Sequence, residues 1–303
     1  MLQNETLTGT IYIASGGGGG EDTLPAVMFG TETVVEMSAP DAEHKAYKGL
    51  TDVTAITLTD ATAINANAFA DLAYLQSISA PEVLSIGNSA FSKCFRLTSI
   101  SLPKCTTVGN SAFSSNQLAT NLSLPACTSV GQSAFYGMSN LQSISLPEVL
   151  SVGDSAFSST FSSSAQNTSL VLPKCTSVGS EIVRDCNAKS IELTVATSLP
   201  ENCLYQGNYT SVRLPAVQSI GKRCFDGGRN LTDVYFGYNG VVALPTLDEG
   251  DEYNMFAWEV QTVTIHVPTA QLALDYAADS KWAKVVAETQ SHGSSVTFVG
   301  DYA

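Results

Sequence analysis

A repeat with a period of 22 residues is the feature that most constrains the fold of this chain. The repeated prolines are Pro81, Pro103, Pro125 and Pro147, and the phenylalanines in step with them are Phe69, Phe91, Phe113, Phe135 and Phe157. A fixed period of this length predicts a solenoid, because each unit is too short to bury an apolar face except against its neighbours.

The unit at residues 97–113, LTSISLPKCTTVGNSAF, begins with a strand pattern. Ile100 and Leu102 alternate with serine, which predicts a strand with one buried face. Pro103 ends the strand because it has no N–H to donate to a ladder. The next apolar residue, Val108, precedes Gly109, where we expect a turn with the glycine at positive φ.

The same unit ends with an Ala-Phe pair that predicts a second apolar layer. Ala112 allows close backbone approach, and Phe113 fills the space between coils. Asn110 and Ser111 are well suited to capping this return segment. Stacked units would therefore place like side chains above one another at about 4.8 Å.

This pattern resembles the BspA-type leucine-rich repeat of bacteria, with the form L-x-x-I-x-L-P-x-x-V-x-x-I-G-x-x-A-F, over residues 50–268. The resemblance implies a right-handed parallel β-solenoid, mainly β, of about ten coils of 21–26 residues with a concave strand face. The family is associated with surface display, adhesion and recognition. Repeat spacing by itself shows no function.

Ten repeat strands are predicted, and the period becomes irregular after the fifth Ala-Phe pair. The serine-rich residues 158–164 predict a bulging loop, and Val183 and Leu204 stand where Phe is expected. The strands are expected at residues 56–58, 78–80, 100–102, 122–124, 144–146, 170–172, 191–193, 212–214, 234–236 and 265–267.

The chain divides into a non-repeat segment (1–50), the array (51–268) and a C-terminal cap (269–303). In the first segment, residues 7–14 and 27–37 predict strands that cover the edge of the first coil, with attachment to a larger assembly as the alternative. Gly16–Gly20 are expected to form a flexible linker rather than a phosphate loop, since no Walker sequence is present.

The cap is predicted to be helical, because the period changes from two to about 3.6. Leu272, Tyr276, Trp282, Val285 and Val286 carry the new pattern, and a final strand is expected at residues 295–299.

Within the array, residues 237–262 form an acidic insertion that contains Asp248, Glu249, Asp251 and Glu252. Their spacing is not that of a known calcium loop, so a solvated acidic loop is favoured over a calcium site. No metal site and no cofactor are predicted.

The charge of the chain argues against several classes of partner. There are 28 acidic and 14 basic residues, a net charge of −14, which repels nucleic acid and anionic lipid. No apolar run is long enough to insert in a membrane. No signal peptide is visible, so either a signal was removed or the protein does not use secretion, as in a phage virion component.

The seven cysteines replace small buried side chains or recur at one repeat position, and none forms a C-x-x-C pair. We therefore predict buried free thiols. The cysteines are Cys94, Cys105, Cys127, Cys175, Cys186, Cys203 and Cys224.

No catalytic residues are predicted, since the three histidines, His44, His266 and His292, lie in no known catalytic motif. The chain is expected to be non-enzymatic. Two hypotheses remain open: an extracellular recognition or adhesion module that binds a protein or glycan at a bacterial surface, and a virion component whose array is a rigid spacer.

A binding site is predicted where the outward strand positions change in character. The early outward positions carry serine or asparagine, whereas the later ones carry both charges and an aromatic ring, the composition of interaction hot spots. The alternative is a solvated face on which Glu192, Arg213 and Asp233 pair with one another. The candidate binding residues are Glu192, Arg213, Asp233, Tyr235 and His266.

Overall fold

The computed structural model describes residues 10–15, 27–29, 32–36, 53–58, 61–163, 168–246, 251–256 and 262–302. Gly16–Gly20, Asp248 and Glu249 lie outside these ranges, so the predicted linker and part of the acidic loop are not described.

The described chain is mainly strand, with two helices near its end. In chain order the elements are β1 (Thr10–Ser15), β2 (Val27–Phe29), β3 (Glu32–Glu36), β4 (Val53–Leu58), β5 (Ala63–Ile64), β6 (Ser77–Ser79), β7 (Ser85–Ile86), β8 (Ser99–Ser101), β9 (Thr107–Val108), β10 (Asn121–Ser123), β11 (Ser129–Val130), β12 (Ser143–Ser145), β13 (Ser151–Val152), β14 (Leu170–Leu172), β15 (Ser177–Val178), β16 (Ser190–Leu193), β17 (Ser198–Leu199), β18 (Ser211–Leu214), β19 (Ser219–Ile220), β20 (Asp233–Phe236), β21 (Thr262–Val267), α1 (Ala270–Ala278), α2 (Ser280–Ser291) and β22 (Ser295–Gly300).

The fold is a parallel β-solenoid, as predicted. Each coil contributes a longer strand to one side, which we call the face strands, and a two-residue strand to a second side. All ten predicted face strands are present, and β22 adds an eleventh. Among the described residues, eight coils carry both strands. The face strands pair as β4-β6-β8, β10-β12 and β14-β16-β18-β20-β21-β22.

The non-repeat segment joins the first coil. β1 pairs antiparallel with β4 and with β3, and β3 pairs antiparallel with β2. The predicted cover of the first strand edge is therefore present.

The core is a set of ladders of like side chains, as the repeat predicts. The five Phe rings from Phe69 to Phe157 stack with centroid separations of 5.4, 5.3, 6.1 and 5.6 Å. Leu102 and Phe113 are buried, while Ser99 and Ser101 are exposed on the outer face of the strand. Ile100 is partly buried and packs against the core.

Two predictions for the turn were wrong. Gly109 does not have positive φ; a Cβ there would lie 2.8 Å from backbone atoms of Gly87 and Asn88 in the coil before, so glycine is required by close approach. Ser111 has φ of 54°, in the left-handed region. Asn110 does not cap its own segment, because its Oδ1 accepts a hydrogen bond from the Gln132 N–H of the next coil at 2.9 Å.

The serine-rich stretch predicted to bulge is partly in the core. Ser158 and Thr160 are buried, and the Thr160 hydroxyl donates to the Phe135 carbonyl at 3.0 Å. Phe161 is fully buried beside them. Residues 164–167 lie outside the described part of the chain.

The acidic insertion is built around a further coil rather than being wholly a solvated loop. Ala243 forms a parallel bridge with Ser219, and Phe256 forms one with Phe225. The Phe225 and Phe256 rings stack at 5.6 Å. Phe256 thus continues the role of the repeat phenylalanine at this level of the solenoid.

The cap is helical, as predicted, and α2 holds the insertion coil in place. Trp282 donates from Nε1 to the Val242 carbonyl at 2.8 Å, and Lys281 donates from Nζ to the Leu244 carbonyl at 2.7 Å. The Glu288 carboxylate accepts from the Tyr253 N–H at 3.0 Å. These contacts close the end of the core.

Candidate functional site

The candidate residues come together because the face strands pair in register. Glu192 is the partner of Arg213, Arg213 of Tyr235, and Tyr235 of His266. Side chains at paired positions of neighbouring strands point to the same face, about 4.8 Å apart. The pairing therefore forms one row of outward side chains across four strands. Asp233 lies two residues before Tyr235 on β20, in the next row.

The centre of this row is a stack of three groups. The Arg213 guanidinium carbon lies 4.3 Å from the centroid of the Tyr235 ring. The Tyr235 and His266 rings are also 4.3 Å apart, at an interplanar angle of 11°. Because these neighbours lie on the strands on either side of β20, both faces of the Tyr235 ring are covered. Tyr235 thus presents its edge and hydroxyl outward.

His266, on the fourth strand of the row, joins two carboxylates. Its Nε2 lies 3.0 Å from Asp233 Oδ1, and its Nδ1 lies 2.7 Å from Asp301 Oδ1. Burial works against the protonated ring, but the hydrogen bonds and charges of the two carboxylates outweigh burial, and the pKa of His266 is raised.

Asp233 shows the complementary change. Burial favours its protonated form, but hydrogen bonds from the Thr232 hydroxyl and from His266 outweigh burial, and the pKa of Asp233 is lowered. Both pKa shifts favour the charged forms, the protonated His266 and the ionised Asp233.

The alternative pairing of Arg213 with Glu192 and Asp233 does not occur among the described residues. Among the described residues, Arg213 makes no ion pair with either carboxylate within 4.0 Å, and its guanidinium stacks on Tyr235 instead. The Thr194 hydroxyl donates to Glu192 at 3.4 Å. The stack orients Arg213, which remains exposed.

Two further residues belong to the site and were missed by sequence reasoning. The Tyr302 ring lies 5.2 Å from Tyr235 at 58°, and 5.9 Å from the Arg213 guanidinium carbon. Asp301 contacts His266 as described above. Both residues lie at the end of the cap, after β22 and outside the repeat, so the repeat pattern could not assign them to an outward position.

The early face strands differ in chemistry, as predicted. In β8, β10 and β12 the outward residues are serine or asparagine, and all of them are exposed. Ser143 donates to the Asn121 side chain at 2.6 Å, so part of this polar surface is already paired. No charged side chain stands on these three strands.

The seven cysteines are free and buried, as predicted. Burial raises the pKa of Cys94, Cys105 and Cys186 to about 12 and that of Cys127 and Cys175 to about 11. A thiol with so high a pKa is almost fully protonated at neutral pH and reacts slowly.

The described residues hold neither a metal site nor a membrane-spanning helix. They contain no group of three or more His, Cys, Asp or Glu side chains arranged to hold a metal ion. Nor do they include a helix with the length and apolar character needed to cross a bilayer. Asp251, in the acidic insertion, forms an ion pair with Lys222, with its Oδ2 3.5 Å from the Lys222 Nζ.

Several solved structures are similar to this chain. A leucine-rich cell surface protein from Faecalibacterium prausnitzii A2-165 is 17% identical, with a TM-score of 0.46 over 92% of this chain and 87% of that one. The Treponema pallidum leucine-rich repeat protein TpLRR is also 17% identical, with a TM-score of 0.34 over 87% and 99%. The pneumococcal vaccine antigen PcpA is 12% identical, with a TM-score of 0.26 over 91% and 88%.

No curated protein matches the sequence. The family profile described as BspA type leucine-rich repeat region matches residues 42–162 and 158–244, in six copies. These ranges include most of the face strands and the repeat phenylalanines. The chain therefore belongs to the BspA-type leucine-rich repeat family.

Proposed function

We propose that the chain is a non-enzymatic recognition and adhesion scaffold that binds a protein or glycan partner at a bacterial surface. The observation that carries the proposal is the row formed by Glu192, Arg213, Tyr235 and His266 on neighbouring face strands. It combines an oriented guanidinium, an aromatic edge and carboxylates on a rigid sheet. Tyr and Arg are, with Trp, the residues that are enriched in binding hot spots.

Rigidity supports this role. The core beneath the row is fully buried at Val212, Val234 and Ile265, so the side chains above it stand on a packed layer. Binding to an ordered surface costs less conformational entropy than binding to a mobile loop. Family membership supports a scaffold role in general terms.

The experiment begins with a partner identified by a glycan array or by a pull-down against host surface material. The double substitution Arg213→Ala with Tyr235→Ala is then expected to weaken binding at least about tenfold, since hot-spot truncations cost about 2 kcal/mol or more. The matched control is Ser99→Ala with Ser101→Ala on β8, which truncates outward residues of the polar face strands.

Unchanged binding by the Arg213/Tyr235 variant would contradict the proposed site. If deletion of residues 1–50 abolished binding instead, the array would be a rigid spacer and the first segment the interaction site. The uncharged surface of the face strands β8, β10 and β12 is compatible with that alternative, which we associate with a virion component.

A further inference from the structure

The residues after β22 lie on the candidate site. The Tyr302 N–H donates to the Val267 carbonyl at 3.1 Å, which carries the chain back across the end of β21. From there Tyr302 contacts Tyr235 and Arg213, and Asp301 contacts His266. An acidic side chain and an aromatic ring from one short segment thus reach three of the five candidate residues.

The ring of Tyr302 and the carboxylate of Asp301 suit the exposed edge of Tyr235 and the positive groups beside it. Because both faces of Tyr235 are covered, its exposed edge can receive only a tilted ring, and Tyr302 provides one at 58°. His266 donates to an acidic side chain, and the nearby Arg213 adds a second positive group. A sugar ring that binds by stacking would need an open aromatic face, which Tyr235 does not present.

We propose that Asp301 and Tyr302 are an internal occupant of the site, and that the partner is a protein segment carrying an acidic residue followed directly by an aromatic one. The partner would displace Asp301 and Tyr302 and take over their contacts. This inference rests on the proposed function and selects a protein rather than a glycan as the ligand.

The geometry at His266 makes such binding dependent on pH. Both ring nitrogens face carboxylates, and both can donate only when the ring is protonated. The groups facing the ring are Asp233 and Tyr235 from β20 and Asp301 from beyond β22, and Arg213 lies on the far face of Tyr235. Binding of an acidic segment is therefore strongest while His266 is protonated and weakens as the pH rises.

The experiment opens the site in the full chain with Asp301→Ala and Tyr302→Ala. The probe is the peptide acetyl-Gly-Asp-Tyr-Ala-amide, titrated at about pH 6, below the ordinary pKa of histidine, and followed by the NMR signals of His266. We expect the opened variant to bind the peptide at least about tenfold more tightly than the unaltered chain. The reason is that the apparent affinity equals the intrinsic affinity multiplied by the fraction of molecules whose site is open.

Three controls make the result specific. A peptide with Asn in place of Asp is expected to lose most of the affinity, and His266→Gln in the opened variant is expected to do the same. Thr297→Ala, at an exposed outward position of β22, leaves the site intact and is expected to behave like the unaltered chain.

A readout without ligand tests the contact itself. The pKa of His266 in solution is expected to fall on Asp301→Asn, since one of its two carboxylate partners loses its charge. An unchanged His266 titration would overturn the inference. So would equal peptide binding by the opened and unaltered chains, or no binding by the opened variant at millimolar peptide. If one of these outcomes is found while Arg213→Ala with Tyr235→Ala still abolishes partner binding, the proposed function stands and this inference is wrong.

Discussion

Truncation of one ring in the phenylalanine stack tests the packing of the solenoid. Phe113 is fully buried, with Phe91 at 5.3 Å on one side and Phe135 at 6.1 Å on the other. A buried Phe removes roughly 150–250 Å² from water, worth about 4–6 kcal/mol at about 25 cal/mol per Å². Alanine keeps part of that burial, so we expect Phe113→Ala to cost about 3–5 kcal/mol.

The stack makes this cost hard to relieve. Each coil is fixed by hydrogen bonds to its neighbours, such as Phe113 N–H to the Ala134 carbonyl at 2.8 Å. The backbone therefore cannot close around the cavity without breaking bonds in the coil above. In a repeat array the loss affects two interfaces, since each unit contacts both neighbours.

The assay is urea unfolding followed by circular dichroism, with the slope of the transition compared between variants. The matched control is Phe95→Ala, which truncates the same residue type in the preceding unit at a side chain that is 42% exposed. We expect it to cost less than about 1 kcal/mol. Equal losses for the two variants, or a loss below about 1 kcal/mol for Phe113→Ala, would refute the assigned packing.

Three further predictions concern the turn, the thiols and the charge cluster. Gly109→Ala should destabilise by about 1–3 kcal/mol, because the added methyl meets backbone in the coil before; an unchanged urea midpoint would contradict this. All seven cysteines should resist alkylation until the protein is denatured, as intact mass would show, and rapid labelling of Cys127 in the native protein would disprove its burial. The contribution of His266 to the free energy of unfolding should be fully present below its unfolded pKa of about 6.5 and should be lost as the pH rises through its raised folded pKa. The contribution of Asp233 should be lost only as the pH falls below about 3.9. The urea midpoint should therefore fall more between about pH 6 and pH 9 in the unaltered chain than in His266→Gln, and parallel curves would contradict the charge assignment.

The candidate site was only partly accessible to sequence reasoning. Strand alternation placed Arg213, Tyr235 and His266 on one face, because side chains alternate strictly along a strand. It could not show that Arg213 stacks on Tyr235 rather than pairing with Glu192, since that choice depends on side-chain conformation across strands. Nor could it place Tyr302, whose position depends on how the chain leaves β22.

The acidic insertion shows a second limit. The sequence YNMFAW contains a phenylalanine preceded by an apolar residue, yet the altered spacing hid its relation to the repeat. In the structure Phe256 continues the phenylalanine position, stacked on Phe225. Contacts from Trp282 and Glu288 on α2 also hold this coil.

The sequence by itself determined the period, the ten face strands, the buried thiols and the helical cap. These features follow from local patterns, because a stack of like units repeats its contacts at every level. The tertiary structure decided why Gly109 must be glycine, how the insertion closes the array and which groups meet at His266. Each of these depends on contacts between residues on different coils or in the cap, and a local pattern does not encode the distances between such residues.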